Sequence, residues 1–277
     1  MTPSIAIAFD RPTDREAAHA LADRLSLPMA EETQTPHDLH LAIAACDDGD
    51  TRIEIRVMAA DHPLRGGHGV AVNLTQLDTT SPAGRSLRTP VLKAVGVRSG
   101  TPRPHVLDVT AGLGEDAWLL AAAGCQVTAV ERHPLIHLLL QDALRRAMVI
   151  APEIARRITL LAPQDAVAAL GNLIKTDTPR PNVVLIDPMF PGRRKTAERK
   201  PMAVLRWLVG NDSDADDILA PALATAQRRV VVKRPRAAPP LAGPPPTVRH
   251  TGRGFRFDVY AGSVLRSVTP NLSTFGD

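Results

Sequence analysis

Apolar positions follow two successive rhythms along the chain. Up to about residue 85, short apolar stretches are broken by polar loops. Ser4 to Phe9 predicts a strand, and Asp14 to Leu25 predicts a helix, with Ala17, Ala18, Leu21 and Leu25 at helical spacing. Leu39 to Cys46 and Arg52 to Val57 read as strands on either side of the turn Asp47-Asp48-Gly49-Asp50, and Val70 to Leu74 reads as another. Gly66-Gly67-His68-Gly69 and Ser81-Pro82-Ala83-Gly84 mark loops. These elements predict a small α+β region over residues 1–85.

From residue 86 onward, strands and helices alternate. Pro90 to Val95 predicts a short helix, Val106 to Val109 a strand, and Asp116 to Ala123 a helix stopped by Gly124. Gln126 to Val130 is the next strand, and Pro134 to Met148 is a long helix with a stripe of Leu135, Leu138, Leu139, Ala143, Leu144, Ala147 and Met148. Further strands are predicted at Ile158 to Leu161, Asn182 to Ile186, Arg229 to Val232 and Phe257 to Tyr260. Strands separated by helices imply a largely parallel, doubly wound sheet over 86–277. The proline-rich Ala237 to Pro246 reads as an extended loop.

Composition narrows the class. The 277 residues are 44% apolar but only 3% aromatic, so Leu, Val, Ile and Ala must build the core. No apolar run approaches the roughly 20 residues that span a bilayer. The first ten residues lack a basic segment followed by a long apolar one, so a secretory signal is not expected and a cytoplasmic location is. Cys46 and Cys125 have neither CxxC spacing nor a regular His partner, and His37 and His40 lack further ligands, so no metal site or disulfide is expected. Trp118 and Trp207 are expected in the core. The net charge is +4, and the basic residues are clustered. Arg193, Arg194, Lys195, Arg199, Lys200 and Arg206 form one group, Arg228, Arg229, Lys233, Arg234 and Arg236 a second, and Arg249, Arg253 and Arg256 a third. Any one cluster is as readily a solvated face, but three together point to a polyanionic partner.

The local chemistry starts at Asp108-Val-Thr-Ala-Gly112-Leu-Gly114-Glu115-Asp116, a strand end running through Gly-x-Gly into a helix. Glycine lets the backbone approach a ligand, and the helix start offers free N–H groups. Such a loop serves a dinucleotide or S-adenosylmethionine. A carboxylate at Asp108 suits a sulfonium and an amino group better than a pyrophosphate. Glu131, 23 residues after Asp108 at the next strand end, is placed to bind ribose hydroxyls and fits either cofactor. Gln164-Asp165 follows the third strand, where an adenine amino group would lie. The fourth strand runs into Asp187-Pro188-Met189-Phe190-Pro191. An exocyclic amine is a poor nucleophile because its lone pair is delocalised into the ring. In this loop Asp187 would accept the amine's N–H bonds, Pro188 would stiffen the turn, and Phe190 would stack on a base taken out of its helix.

Several segments resemble the bacterial small-subunit ribosomal RNA guanine-N2 methyltransferases of the RsmJ type. They are Lys93 to Gly96, Asp108 to Asp116, Gly124-Cys125, Val130-Glu131-Arg132, Asp187 to Pro191, Leu208 to Gly210, Val230 to Pro235, Ala238 to Ala242 and Arg256 to Gly262. The resemblance implies a class I S-adenosylmethionine-dependent methyltransferase fold, Rossmann-like, with a mostly parallel seven-stranded sheet, and methyl transfer to the N2 amine of a guanine in 16S ribosomal RNA. It implies cofactor contacts at Glu115, Asp116, Glu131, Arg132, Gln164, Asp165 and Asp187, to which the loop reading adds Asp108, Gly112 and Gly114. The family usually carries Arg in place of Glu115 and small hydroxyl residues in place of Gln164-Asp165. The RNA contacts expected are Arg193, Arg194, Lys195, Lys200, Lys233 and Arg234, on the 16S RNA or the small subunit. An amino-methyltransferase of DNA adenine or protein glutamine, and an RNA-binding protein that has lost catalysis, stay open as alternatives.

Overall fold

The computed structural model describes residues 2–66, 68–176, 178–188, 200–209, 215–252 and 254–266. Its elements run β1 (Ile5–Phe9), α1 (Arg15–Leu25), β2 (Leu39–Ala45), β3 (Thr51–Val57), α2 (Pro90–Val95), β4 (His105–Asp108), α3 (Glu115–Ala122) and β5 (Gln126–Ala129). Next come α4 (Pro134–Ile150), α5 (Pro152–Ala155), β6 (Ile158–Leu160), α6 (Ala166–Lys175), β7 (Val183–Ile186), α7 (Lys200–Val209) and α8 (Ala215–Thr225). The chain then forms β8 (Arg229–Pro235), β9 (Val248–Thr251) and β10 (Phe255–Ala261).

By packing, the chain falls into two compact units. One comprises Met1–Asn73, Pro134–Arg146 and Pro191–Asn211, and the other comprises Leu74–His133, Ala147–Phe190 and Asp212–Asp277. The first unit carries a three-stranded sheet in which β1 is parallel and β3 antiparallel to β2. Helix α1 stops where Ser26 turns left-handed (φ 54°). The strand expected over Val70 to Leu74 does not form: Val70 makes a single bridge to Ile55, and Leu74–Gln76 coils into a 3-10 turn. Trp207 is half-buried rather than core, with its ring stacked on His62 at 4.0 Å.

The second unit is built on a seven-stranded sheet in the order β6-β5-β4-β7-β8-β10-β9. Strands β6 to β8 in this order are parallel, while β10 and β9 are antiparallel to their neighbours. The central β7 is Val-Val-Leu-Ile with every residue buried, as a strand covered on both faces requires. Leu107, Val184, Ile186, Val230 and Val232 face one apolar layer with α6 and α8, and Val106, Val183, Leu185 and Val231 face the other with α2 and α3. Trp118 is 1% exposed, as expected of a core residue. Helix α2 ends at Gly96 (φ 83°), a left-handed stop that glycine adopts without a Cβ clash. From β4 the chain winds outward through β5 and β6, then returns to β7 on the other side of β4. The C-terminal ends of β4 and β7 therefore flank a topological switch point, where open α/β sheets leave a crevice for ligands.

Candidate functional site

The register of the sheet brings the predicted acids together. Asp108 ends β4 opposite Leu185 of β7, and Ile186 pairs with Val232 of β8, so Asp187 and Lys233 leave adjacent strands side by side. Lys233 Nζ donates to Asp187 Oδ2 at 2.8 Å and to Asp116 Oδ2, in the first turn of α3, at 2.9 Å. Thr110 ties the two loops: its Oγ1 accepts the Asp187 backbone N–H at 2.6 Å, while its own N–H donates to Asp108 Oδ1 at 3.2 Å. The sequence reading missed both of these roles. Thr110 stood inside the glycine loop and Lys233 inside a basic run, where only sheet register could single them out.

Glu131 stands at the end of β5, 8% exposed, with its carboxylate fixed by two backbone donors. Oε2 accepts from Gly112 N–H at 2.9 Å and Oε1 from His133 N–H at 2.8 Å. Gly112 holds φ 53°, and a Cβ built there meets nothing nearer than Thr110 O at 4.0 Å, so the loop has open space above it. Gly114 (φ 79°) forms the N-cap of α3. His133 Nδ1 is buried and has no hydrogen-bond partner among the described residues.

The electrostatics favour a cation. Two carboxylates, Asp116 and Asp187, converge on the Lys233 ammonium, with the buried Asp108 nearby. Burial, reinforced by Asp116 and Asp187, pushes the Asp108 carboxyl up to about 8. Burial and Asp116 also raise Asp187 while Lys233 opposes them; with 37% of that side chain open to solvent, its rise is the smaller. Burial alone would lower Lys233, but the two carboxylates outweigh it and hold the ammonium charged. A sulfonium with an amino group fits such a pocket, since it adds positive charge where carboxylates outnumber the resident cation. The open glycine turn and the fixed Glu131 carboxylate beside it complete the fit.

The other predicted residues spread more widely. Pro188 is buried, and Glu115 and Arg132 are exposed. Asp165 is the N-cap of α6, with Oδ1 accepting from Val167 N–H at 2.8 Å and Ala168 N–H at 3.3 Å. Gln164 Nε2 reaches only Ala162 O, at 3.4 Å. Met189, Phe190, Arg193, Arg194 and Lys195 lie outside the described residues. Two of the expected RNA contacts, Lys233 and Arg234, are engaged within the fold, and Lys200 bonds neighbouring carbonyls while keeping its charge. Lys233 is consumed by Asp116 and Asp187. Arg234 is 7% exposed, and its guanidinium donates to Pro239 O at 2.9 Å. Lys200 Nζ donates to Gly66 O at 2.6 Å and His68 O at 2.9 Å. In the third cluster, Arg256 is likewise buried in a two-pronged pair with Asp258. Net positive charge reads the same in sequence whether it faces solvent or neutralises an interior acid.

The family model of SAM-dependent methyltransferases matches residues 21–262. The ribosomal RNA small subunit methyltransferase J of Thioalkalivibrio sulfidiphilus is 40% identical, covering 92% of this chain and 97% of that protein. The protein of the same name from Pseudomonas aeruginosa is also 40% identical, covering 90% and 92%. Among solved structures, a SAM-dependent methyltransferase from Neisseria gonorrhoeae matches with a TM-score of 0.65 and 32% identity, covering 92% of this chain and 95% of that one. Similarity of this depth over nine-tenths of each sequence shows that the chain belongs to the ribosomal RNA small subunit methyltransferase J family of S-adenosylmethionine-dependent methyltransferases.

Proposed function

We propose that this protein methylates the exocyclic N2 amine of a guanine in 16S ribosomal RNA, as free RNA or within the small subunit, in the cytoplasm. The observation that carries the reading is Asp187: a carboxylate at the end of β7, locked beside Asp116 by Lys233 and beside the glycine turn by Thr110. In this reading Asp108, Gly112, Gly114, Glu115, Asp116, Glu131 and Arg132 hold the cofactor, with Gln164 and Asp165 toward its base. Bound S-adenosylmethionine supplies an electrophilic methyl group carried on a sulfonium. The chain's own part is to hold and polarise the amine. Asp187 accepts an N–H bond, draws the nitrogen toward tetrahedral geometry and aligns its lone pair. Lys233 fixes that carboxylate without taking both of its oxygens, since it engages Oδ2. Phe190 stacks on the flipped base, and Pro188 stiffens the loop that presents both. No strong base is needed, because the nitrogen becomes acidic once methylated and sheds its proton then.

The test is transfer of labelled methyl to ribosomal RNA from cells lacking the protein, with mapping of the modified base. N2-methylguanine at a single site is expected. Asp187→Ala should remove most of the turnover, whereas Asp187→Asn, which keeps the shape and one acceptor oxygen, should retain part of it. Full activity in Asp187→Ala would remove this loop from the chemistry.

A further inference from the structure

The first unit contains a cavity of about 460 Å³, lined by Arg52, Arg56, Arg65 and Lys200 together with the carboxylates of Asp10 and Glu54. Its origin is legible in β3. Arg52, Glu54 and Arg56 alternate with Ile53, Ile55 and Val57, so the three charges share one face. On β2 the residues paired with Arg52 and Glu54 are Ala44 and Ala42, whose short side chains leave room above the sheet. Gly69 passes so close to Glu54 that a Cβ there would lie 2.4 Å from its carboxyl carbon. That approach helps to bury Glu54, whose side chain is 4% exposed.

The two acids serve to fix guanidinium groups. Glu54 accepts from Arg52 Nε at 3.0 Å and Arg56 Nε at 2.7 Å, and Asp10 accepts from Arg56 Nη1 at 2.7 Å and Nη2 at 2.8 Å. Arg52 is thereby held with Nη1 unengaged among the described residues. Arg65 is exposed, and among the described residues its guanidinium makes one long bond, to Ala60 O at 3.3 Å. Four permanent cations against two carboxylates leave the cavity at +2, and its volume falls in the range of small-ligand sites, roughly 300–1,000 Å³. Rigid guanidinium forks with spare N–H groups match the oxygens of a phosphate.

We infer that this cavity is a phosphate-binding site that takes the backbone of the substrate RNA, an inference that rests on the RNA reading above. It answers what the engagement of Lys233 and Arg234 within the fold leaves open, namely which cations meet the polyanion. A single-stranded backbone contact contributes a slope of about 0.7 in log K against log salt, so two contacts are worth about 25-fold in affinity near 0.1 M salt.

The experiment compares the full-length protein with Arg65→Ser and with the Arg52→Ser/Arg65→Ser double variant. An Arg24→Ser/Arg156→Ser variant, which removes exposed cations outside the cavity, controls for net charge. A fluorescent single-stranded RNA fragment of 16S sequence is titrated across a salt series, alongside inorganic phosphate and guanosine monophosphate. Arg65→Ser should lose about fivefold and the double variant about 25-fold, with slopes lower by about 0.7 and 1.4. The Michaelis constant for RNA should rise while kcat and S-adenosylmethionine affinity stay put; the melting temperature should hold in Arg65→Ser and fall in the double variant, where buried Glu54 keeps only Arg56 as a partner among the described residues. A double variant indistinguishable from the control overturns the inference. So does a loss confined to free phosphate or the mononucleotide with RNA binding untouched, which would make this a small-anion site. Failure of the wild type to methylate ribosomal RNA would refute the functional reading, while the binding arms would still decide the cavity.

Discussion

Lys233→Met is the most discriminating change at the site. It keeps an unbranched apolar stem and deletes the ammonium that holds Asp187 at 2.8 Å and Asp116 at 2.9 Å, with the buried Asp108 close by. Removing one partner of a buried pair costs about 3–5 kcal/mol, and an exposed pair is worth about 0–1 kcal/mol. Here the side chains are 25%, 19% and 37% exposed, between those limits, and two carboxylates lose their partner at once. The cost at about pH 8 should therefore be about 2–3 kcal/mol, or roughly 5–10 °C in melting temperature for a protein of this size. The sign of the pH dependence follows from linkage. Without the lysine nothing opposes the burial that already raises the Asp187 carboxyl, so its folded-state pKa moves further above its unfolded value; the penalty is full above that value and is relieved as the proton binds. The deficit against wild type should shrink as pH falls from about 8 to about 5. Thermal melts across that range measure it, and methyl transfer should fall at least tenfold because Asp187 loses its anchor. An unchanged melting temperature at about pH 8, or a deficit that ignores pH, would refute the argument. Intact stability with a reduced salt slope for RNA would restore Lys233 as a phosphate ligand.

Further outcomes follow from the same geometry. Asp108 is held near 8 against an ordinary value of 3.8, so the native state binds its proton more tightly and loses stability as pH rises through that window; Asp108→Asn should gain on wild type by up to about 5 kcal/mol between about pH 4 and pH 8, read from melts. Glu131→Ala removes the acceptor of the Gly112 and His133 N–H groups and should weaken S-adenosylmethionine binding at least tenfold by calorimetry; an unchanged affinity would make Glu131 purely structural. Phe190→Ala should lose stacking worth roughly 1–3 kcal/mol in RNA methylation with cofactor affinity untouched, and wild-type rates in that variant would make Phe190 a packing residue.

The sequence by itself determined what depends on neighbours along the chain. Periodicity and the stop at Gly124 located β4, α3, β5, α4 and β7, because burial pattern and left-handed turns are local properties. The spacing of Asp108, Gly112, Gly114, Glu131 and Asp187 marked the candidate site, because parallel strands deliver successive strand ends to one edge of the sheet. Tertiary structure alone decided the rest. Strand β9 is short and mostly exposed beyond a proline-rich loop, and only pairing with β10 makes it a strand. The partners of Lys233 lie 46 and 117 residues away in sequence, and no local pattern announces them. The N-cap role of Asp165 in α6, beside its expected place near the cofactor's base, shows only in the fold. Lys233, Arg234 and Arg256 read as RNA-facing charge and are spent on acceptors within the fold, while Lys200 lines the cavity of the first unit. Arg52 and Arg65, which carry no cluster signature, line the open cationic cavity instead. Charge along a chain is additive, but its availability depends on which acceptors the fold brings within about 3 Å, and that is set only when distant segments meet.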